Sequence, residues 1–367
     1  MPQRKNLIFL QFCALLKEEK YEIMAITIKD IAKEAGVSFQ AVSAALNDTP
    51  GIRLSPEKRE MIREIAARLG YRRNFGYNLM HNKPTNTAAI VISTPFMAQE
   101  ERNRTLSLLL MERFHEMQIA TYFFDRMTQY PEENLKHIRE LLGRGVEAFI
   151  FIGCPIGHLE IQKELKKFHR TMVSFDGSSF ERNLRHNASA ARKEIISILR
   201  EKVGEKFKVL LLEGSRSPFF PNALQELYPD SDIEDIWQQK VIYMPKISWE
   251  GDLAAMLFTN AYTAVEKLLK TAPEIRGFCF SNDAQALGAA AYLSTHGFTI
   301  GKDVFVAGFN ADLSVRMQTA PIITAALPYS KVVDILIRES YSKEAFSDEI
   351  KWEVIYGNTM LRSMSKK

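Results

Sequence analysis

The chain has 367 residues, of which 46% are hydrophobic and 25% are charged, and its formal net charge is +4. This length suits two or three domains rather than one, and the ordinary composition excludes a fibrous or low-complexity protein. The residues from Ala25 to Lys83 include ten basic and six acidic side chains, an excess of four that equals the net charge of the whole chain. A basic head on a neutral body fits contact with nucleic-acid phosphates at one end.

The N-terminal residues 1–24 combine a basic start with a short apolar run, as a signal peptide does. No small-residue cleavage site follows, and the run is too short to span a membrane. We therefore expect an upstream extension, either disordered or a stray helix. The three cysteines, Cys13, Cys154 and Cys279, lie far apart without metal-ligand spacing, which indicates a reducing compartment. We expect a cytoplasmic protein.

Residues 25–70 predict a three-helix head. Apolar residues recur at helical spacing on both sides of Gly36, which allows a tight turn, so the first two helices predict a helix-turn-helix. Thr27 is placed to cap the first helix, with Asp30 completing a capping box, and Ser38 is placed to cap the second. The third helix begins at Ser55 and Pro56 and ends at Gly70. The alternative is a small helical domain that does not bind DNA, because any such domain shows apolar residues at helical spacing.

The second helix is predicted to leave small or amide-bearing side chains facing outward. These are Phe39, Gln40, Ser43, Ala44 and Asn47. Such side chains can enter a major groove without steric conflict. This face is the predicted reader of DNA.

The runs IKDIAKEAGVSFQAVSAALND and RLSPEKREMIREIAARLGYRRN resemble the head of the lac-repressor and galactose-repressor (LacI/GalR) family of bacterial transcription regulators. The resemblance is continuous from Ile28 to Asn74. It departs at Ala41 and Ala44, where the family usually has Thr and Arg, and at Arg73, where it has Pro. The first two departures imply that one contact with DNA is missing.

The resemblance implies that a homodimer binds a double-stranded DNA operator. The residues implied to contact DNA are Thr27, Ser38, Phe39, Gln40, Ser43, Asn47, Tyr71, Arg72, Asn74 and Met80. Residues 71–86 are predicted to form a polar linker. In the family, this segment holds a hinge helix that inserts an apolar side chain into the minor groove, and Met80 stands at the position of that side chain. A plain tether is the alternative.

Residues 87–367 alternate short β-rich runs with amphipathic helices, which predicts parallel sheets covered by helices. Eight strands are predicted near residues 88–93, 121–124, 148–152, 171–175, 208–212, 241–243, 277–280 and 304–309. Their number favours two doubly wound lobes, and the resemblance implies a periplasmic-binding-protein-like body with three crossovers. The predicted fold class is an all-α helix-turn-helix head plus this α/β body.

Ligands of open α/β sheets bind beyond the carboxyl ends of the strands. The predicted effector residues at these positions are Phe96, Asp176, Arg216, Asn282, Asp283 and Asn310. By resemblance, Asp176, the Asn282–Asp283 pair and Asn310 match family ligand positions, and Phe219, Phe220 or Trp249 offers a ring face to a sugar. The alternative for each polar residue is a helix cap.

Two functions are compatible with these features. The first is a ligand-responsive transcription regulator that represses carbohydrate-use genes and holds a small sugar-like effector between its lobes. The second is a solute-binding or sugar-sensing protein with a vestigial DNA-binding head. The sequence has no P-loop, no HExxH motif and no cysteine-histidine cluster, so we predict no enzyme, no cofactor, no metal and no membrane partner.

Overall fold

The computed structural model describes residues 26–47, 54–71, 84–177, 179–214, 219–245 and 252–356. The chain divides into two compact units, and the boundary between them lies between Lys83 and Pro84. The predicted extension at residues 1–24 and residues 72–83 of the predicted linker lie outside the described residues.

Fourteen helices and twelve strands lie within the described residues. The helices are α1 (Ile28–Ala35), α2 (Phe39–Asn47), α3 (Pro56–Arg68), α4 (Pro95–Gln99), α5 (Glu101–Glu116), α6 (Pro131–Gly143), α7 (His158–Lys167), α8 (Ser189–Val203), α9 (Phe219–Leu227), α10 (Ile233–Lys240), α11 (Leu253–Thr271), α12 (Asp283–Thr295), α13 (Leu313–Arg316) and α14 (Tyr329–Ser340). The strands are β1 (Thr87–Ile92), β2 (Ala120–Phe124), β3 (Ala148–Ile152), β4 (Thr171–Phe175), β5 (Asn183–Asn187), β6 (Phe207–Leu212), β7 (Val241–Met244), β8 (Gly277–Phe280), β9 (Phe305–Ala307), β10 (Ile323–Ala326), β11 (Ser347–Lys351) and β12 (Glu353–Tyr356).

The predicted caps of the head are confirmed. Thr27 accepts a hydrogen bond from the Asp30 backbone N–H, and the Asp30 carboxylate accepts one from the Thr27 backbone N–H, which completes the capping box. Gly36 has a φ of 62°, a left-handed conformation that favours glycine. Ser38 accepts from the Ala41 N–H, and Ser55 caps α3. These local signals fix the helix boundaries.

The core of the head is small. The buried hydrophobic side chains among its described residues are Ile31, Val42, Ala44, Ala45, Ile62 and Ala66. Our prediction that Ala44 faces outward is wrong, because Ala44 is 1% exposed. Helix α2 contacts both α1 and α3, which widens its buried face beyond one stripe.

The body contains two six-stranded sheets, one in each lobe. The first lobe has the strand order β11-β5-β4-β3-β1-β2, and all its neighbouring strands are parallel. The second has the order β12-β10-β9-β8-β6-β7, in which only the pairing of β12 with β10 is antiparallel. Every residue of β1 and of β3 is buried, as expected for central parallel strands. The predicted fold class is confirmed.

The chain crosses between the lobes three times. Ala188 connects β5 to α8, Leu327 and Pro328 connect β10 to α14, and Trp352 connects β11 to β12. Helix α8 packs on the second sheet, and α14 packs on the first. Both lobes are therefore built from discontinuous parts of the chain, and the three connections form a narrow hinge region between them.

Candidate functional site

A cleft of about 940 Å³ lies between the two lobes of the body. Its walls come from residues that follow the carboxyl ends of strands in both sheets, including Asp176 after β4, Asn282 after β8 and Asn310 after β9. Ligand sites commonly have volumes of roughly 300–1,000 Å³. The cleft therefore has room for a small molecule of the size of a mono- or disaccharide.

Four of the predicted effector residues, Phe96, Asp176, Asn282 and Asn310, line the cleft. Their contact with an effector stays a prediction. Arg216 and Trp249 lie outside the described residues. Phe219 lines the cleft, whereas Phe220 is buried behind it.

The placement of Asp283 in the cleft is wrong. This side chain is 0% exposed. Its Oδ1 accepts a hydrogen bond from Thr324 Oγ1 at 2.8 Å, and its Oδ2 accepts from the Asp312 N–H at 2.7 Å. Burial raises the pKa of Asp283 to about 7. Asp283 instead holds the loop after β9, and Gly308 permits the close approach because an added Cβ would lie 2.2 Å from Asp283 Oδ1.

Two polar residues of the cleft have left-handed backbones. Asp176 has a φ of 60° and Asn310 a φ of 108°. Non-glycine residues adopt such values rarely, and in folded proteins they cluster at functional sites. Asn282 has a different role, because its Oδ1 caps α12 by accepting from the Gln285 N–H at 3.0 Å. The cap leaves the Nδ2 hydrogens of Asn282 available for other partners.

Asp176 belongs to a network at the hinge region. Trp352 Nε1 donates to His186 Nδ1 at 3.2 Å, so the imidazole hydrogen lies on Nε2, which donates to Asp176 Oδ2 at 3.0 Å. Burial opposes ionisation of Asp176, but the hydrogen bond from His186 and the charge of Arg102 outweigh it and lower the pKa of Asp176. The sequence reading missed His186 and Trp352 because both stand beside crossovers that only the fold reveals.

A group of carboxylates borders the cleft near α5 and α13. Burial, followed by the charges of Asp283, Glu101 and Glu100, raises the pKa of Asp312 to about 8. Glu101 Oε1 accepts from the Leu313 N–H at 2.6 Å, which joins the first lobe to the second. Glu100, Glu101 and Asp312 therefore place three acidic side chains on that side of the cleft.

Asp312→Asn is expected to change how stability depends on pH. The pKa of Asp312 is higher in the folded protein than the value of about 3.9 in unfolded chains. The contribution of the protonated Asp312 side chain to the free energy of unfolding is therefore fully present below about pH 4 and is lost as pH rises towards 8. The variant should unfold about 2 °C or more above the wild type at pH 8 and near it at pH 4, measured by calorimetry. An equal difference at both pH values would contradict this assignment.

Arg192 is a further residue that the sequence reading missed. It lines the cleft from α8 and is 6% exposed. Three, four and seven residues later the same helix buries Ile195, Ile196 and Leu199. A charged residue at an apolar position of a helical stripe is a signal that could have identified it.

The outward face of α2 is the second candidate site. Phe39 is 51% exposed and Gln40 is exposed, while Ser43 is half-buried. Thr27 and Ser38 use their hydroxyl groups as helix caps, and Tyr71 packs against the head core. The predicted DNA contacts Arg72, Asn74 and Met80 and the side chain of Asn47 lie outside the described residues.

Neither site shows the geometry of a metal centre, since no group of three or more His, Cys, Asp or Glu side chains in the described ranges could hold a metal ion. None of the helices in the same ranges combines the length and the hydrophobicity needed to span a bilayer.

Two family models match the chain. The model of bacterial regulatory proteins of the lacI family matches residues 27–74, and the model of the periplasmic binding protein-like domain matches residues 236–339. Catabolite control protein A of Priestia megaterium is 24% identical over 336 residues, which cover 89% of this chain and 96% of that protein.

Solved structures share the fold of most of the chain. The lac repressor dimer bound to operator and the anti-inducer ONPF aligns with a TM-score of 0.68 at 16% identity, covering 91% of this chain and 99% of the matched chain. A LacI family transcriptional regulator from Enterococcus faecium with bound ribose aligns with a TM-score of 0.55 at 18% identity, covering 74% and 98%.

A helix-turn-helix head followed by a two-lobed body with a cleft defines a DNA-binding transcription regulator with a periplasmic-binding-protein-like domain. The head matches the lacI model over nearly its whole length. These matches confirm the predicted resemblance to the LacI family.

Proposed function

We propose that this regulator represses carbohydrate-use genes and that a small sugar-like effector binds in the interlobe cleft. The observation that carries the proposal is the convergence of polar and aromatic side chains from both lobes. Phe96 and Asp176 come from the first lobe, and Asn282 and Asn310 from the second. Amides and carboxylates pair with neighbouring hydroxyl groups, and a ring covers the apolar face of a sugar. The bound ribose in the Enterococcus faecium regulator supports this effector class.

The effector acts, in this proposal, by changing how the lobes close. Hydrogen bonds between described residues already connect them: Glu101 accepts from the Leu313 N–H, and Gln99 accepts from the Leu253 N–H. An effector that binds one degree of closure more tightly shifts the population towards it.

A homodimer in the cytoplasm would present two reading helices to successive major grooves of a near-palindromic operator. The lac repressor dimer on its operator supports this arrangement.

An effector is expected to change operator affinity by about 5- to 100-fold, because allosteric coupling is typically 1–3 kcal/mol. Fluorescence anisotropy with a duplex from the upstream region of the protein's own gene measures this affinity, with and without pentoses, hexoses, disaccharides and their acidic derivatives. Nucleobases serve as control ligands. Specific binding that no sugar derivative alters would contradict sugar control while leaving the DNA-binding role intact.

The second candidate is a solute-binding protein with a vestigial head. One departure from the family pattern that suggested it, Ala44, is buried in the head, so it is not an empty contact position. Ala41 remains as the other departure. Absence of specific DNA binding in every ligand state would favour this second candidate over the first.

A further inference from the structure

Arg192 has an unusual environment at the wall of the cleft. Its guanidinium carbon lies 4.0 Å from the ring centre of Phe220 and 4.1 Å from that of Phe309. The guanidinium therefore has an aromatic ring close to it in two directions, and stacking offsets part of the cost of burying the charge. Because guanidinium N–H bonds lie in the plane of the group, an acceptor must approach Arg192 in that plane.

The hydrogen-bonding capacity of Arg192 is mostly unused. Nη2 donates to the Ser281 carbonyl oxygen at 3.2 Å. Nε and Nη1 are buried and have no hydrogen-bond partner within the described part of the chain. Burial lowers the pKa of Arg192 to about 10, which leaves it charged at neutral pH. A buried cation without a negatively charged partner is costly, which points to a partner that arrives with a ligand.

The other charges near Arg192 already have partners. Arg102 forms an ion pair with Glu100 at 3.3 Å, and Asp176 accepts from His186. Arg104 also lines the cleft, but its side chain is exposed to solvent, which screens its charge. Arg192 is thus a buried cation in the cleft wall, and a ligand with one negative charge would neutralise it. Glu101, which also lines the cleft, opposes a second one.

We propose that the effector carries a single carboxylate and that Arg192 binds it. The chemical class is a sugar acid, such as a uronic or aldonic acid, whose hydroxyl groups meet Asp176, Asn282 and Asn310. The proposal rests on the function proposed above for the cleft, and it specifies the charge of the effector. A planar carboxylate matches the planar fork of a guanidinium, and its one charge matches the one unpaired cation.

Titration calorimetry of the full chain with matched sugars tests the proposal. The pairs are glucose and glucuronate, galactose and galacturonate, and sorbitol and gluconate, with glucose 6-phosphate as a doubly charged comparison. At least one acid should bind about 10- to 100-fold more tightly than its neutral partner, the range that a hydrogen bond to a charged group supports. The proposal is wrong if no acid binds, if the neutral partners bind equally well, or if the phosphate ester binds most tightly.

Arg192→Met separates the role of the charge from that of packing, because methionine can fill the space between the two rings. The variant should lose the preference for the acid. Its ligand-free form should unfold at a higher temperature than the wild type, on the order of 2 °C, since an unpaired buried cation is removed. Arg185→Met, at an exposed position of β5 outside the cleft lining, is the matched control and should keep the preference.

Operator binding is measured on the same preparation, with and without the acid. An acid that binds through Arg192 without altering operator affinity would support the carboxylate site and contradict the proposed effector control. An Arg192→Met variant that keeps the acid preference would refute the carboxylate site, whatever the operator measurement shows.

Discussion

Ile62→Ala is expected to abolish specific DNA binding while leaving the body folded. Ile62 is 0% exposed in a head that has only six buried hydrophobic side chains among the described residues. Truncating a buried isoleucine to alanine costs about 2–5 kcal/mol, a large part of the 5–15 kcal/mol that stabilises a typical domain, and domains of this size are marginal. The head should therefore be mostly unfolded at 37 °C.

Calorimetry and operator binding check this prediction together. The unfolding transition of the body and its affinity for cleft ligands should be unchanged, because the head and the body are separate compact units. Ile65→Ala on the same helix is the matched control, since Ile65 is only partly buried, and it should weaken binding far less. Full operator affinity in Ile62→Ala at 37 °C would show that the head does not depend on this core.

Gln40→Ala is expected to lower affinity for the operator by about 10- to 100-fold and to leave non-specific binding nearly unchanged. Gln40 is exposed at the start of α2, beside the exposed ring of Phe39. A glutamine can make a two-point contact with adenine, and such a contact is worth about 1–3 kcal/mol of discrimination. Phosphate contacts supply the non-specific term, so the slope of affinity against salt should not change.

Competition between operator and unrelated duplexes across a salt series measures the specific affinity and the non-specific affinity. Gln239→Ala, a substitution of an exposed glutamine in the body, is the matched control and should behave as the wild type. Equal loss on operator and unrelated DNA would mean that Gln40 contributes to general affinity instead of reading bases.

The sequence predicted well wherever local chemistry decides structure. The capping box of Thr27 and Asp30, the turn at Gly36 and the apolar strands β1, β3, β4 and β8 each carry their signal within a few residues. Strands β5 and β11, with the polar sequences NLRHN and SDEIK, were missed. β5 pairs with β4, and β11 pairs with β5, and no local pattern encodes either pairing.

The same distinction between local and long-range signals explains which features of the cleft could be predicted from the sequence. Residues that directly follow strands, such as Asp176 and Asn310, were found because topology places the ends of parallel strands together. The burial of Asp283 and of Ala44 was missed because each depends on elements from both sides. Arg192 carries a local signal, a charge in an apolar helical stripe, but its two ring partners come from α9 and from the loop after β9.

The short connections between the lobes have a consequence for biosynthesis. Strand β11 completes the sheet of the first lobe and β12 that of the second, although both follow residue 346. During translation, neither lobe can finish its sheet until these late residues have left the ribosome. A premature stop codon shortly before β11 would therefore leave two incomplete sheets with unpaired edges in one polypeptide, and such edges promote aggregation.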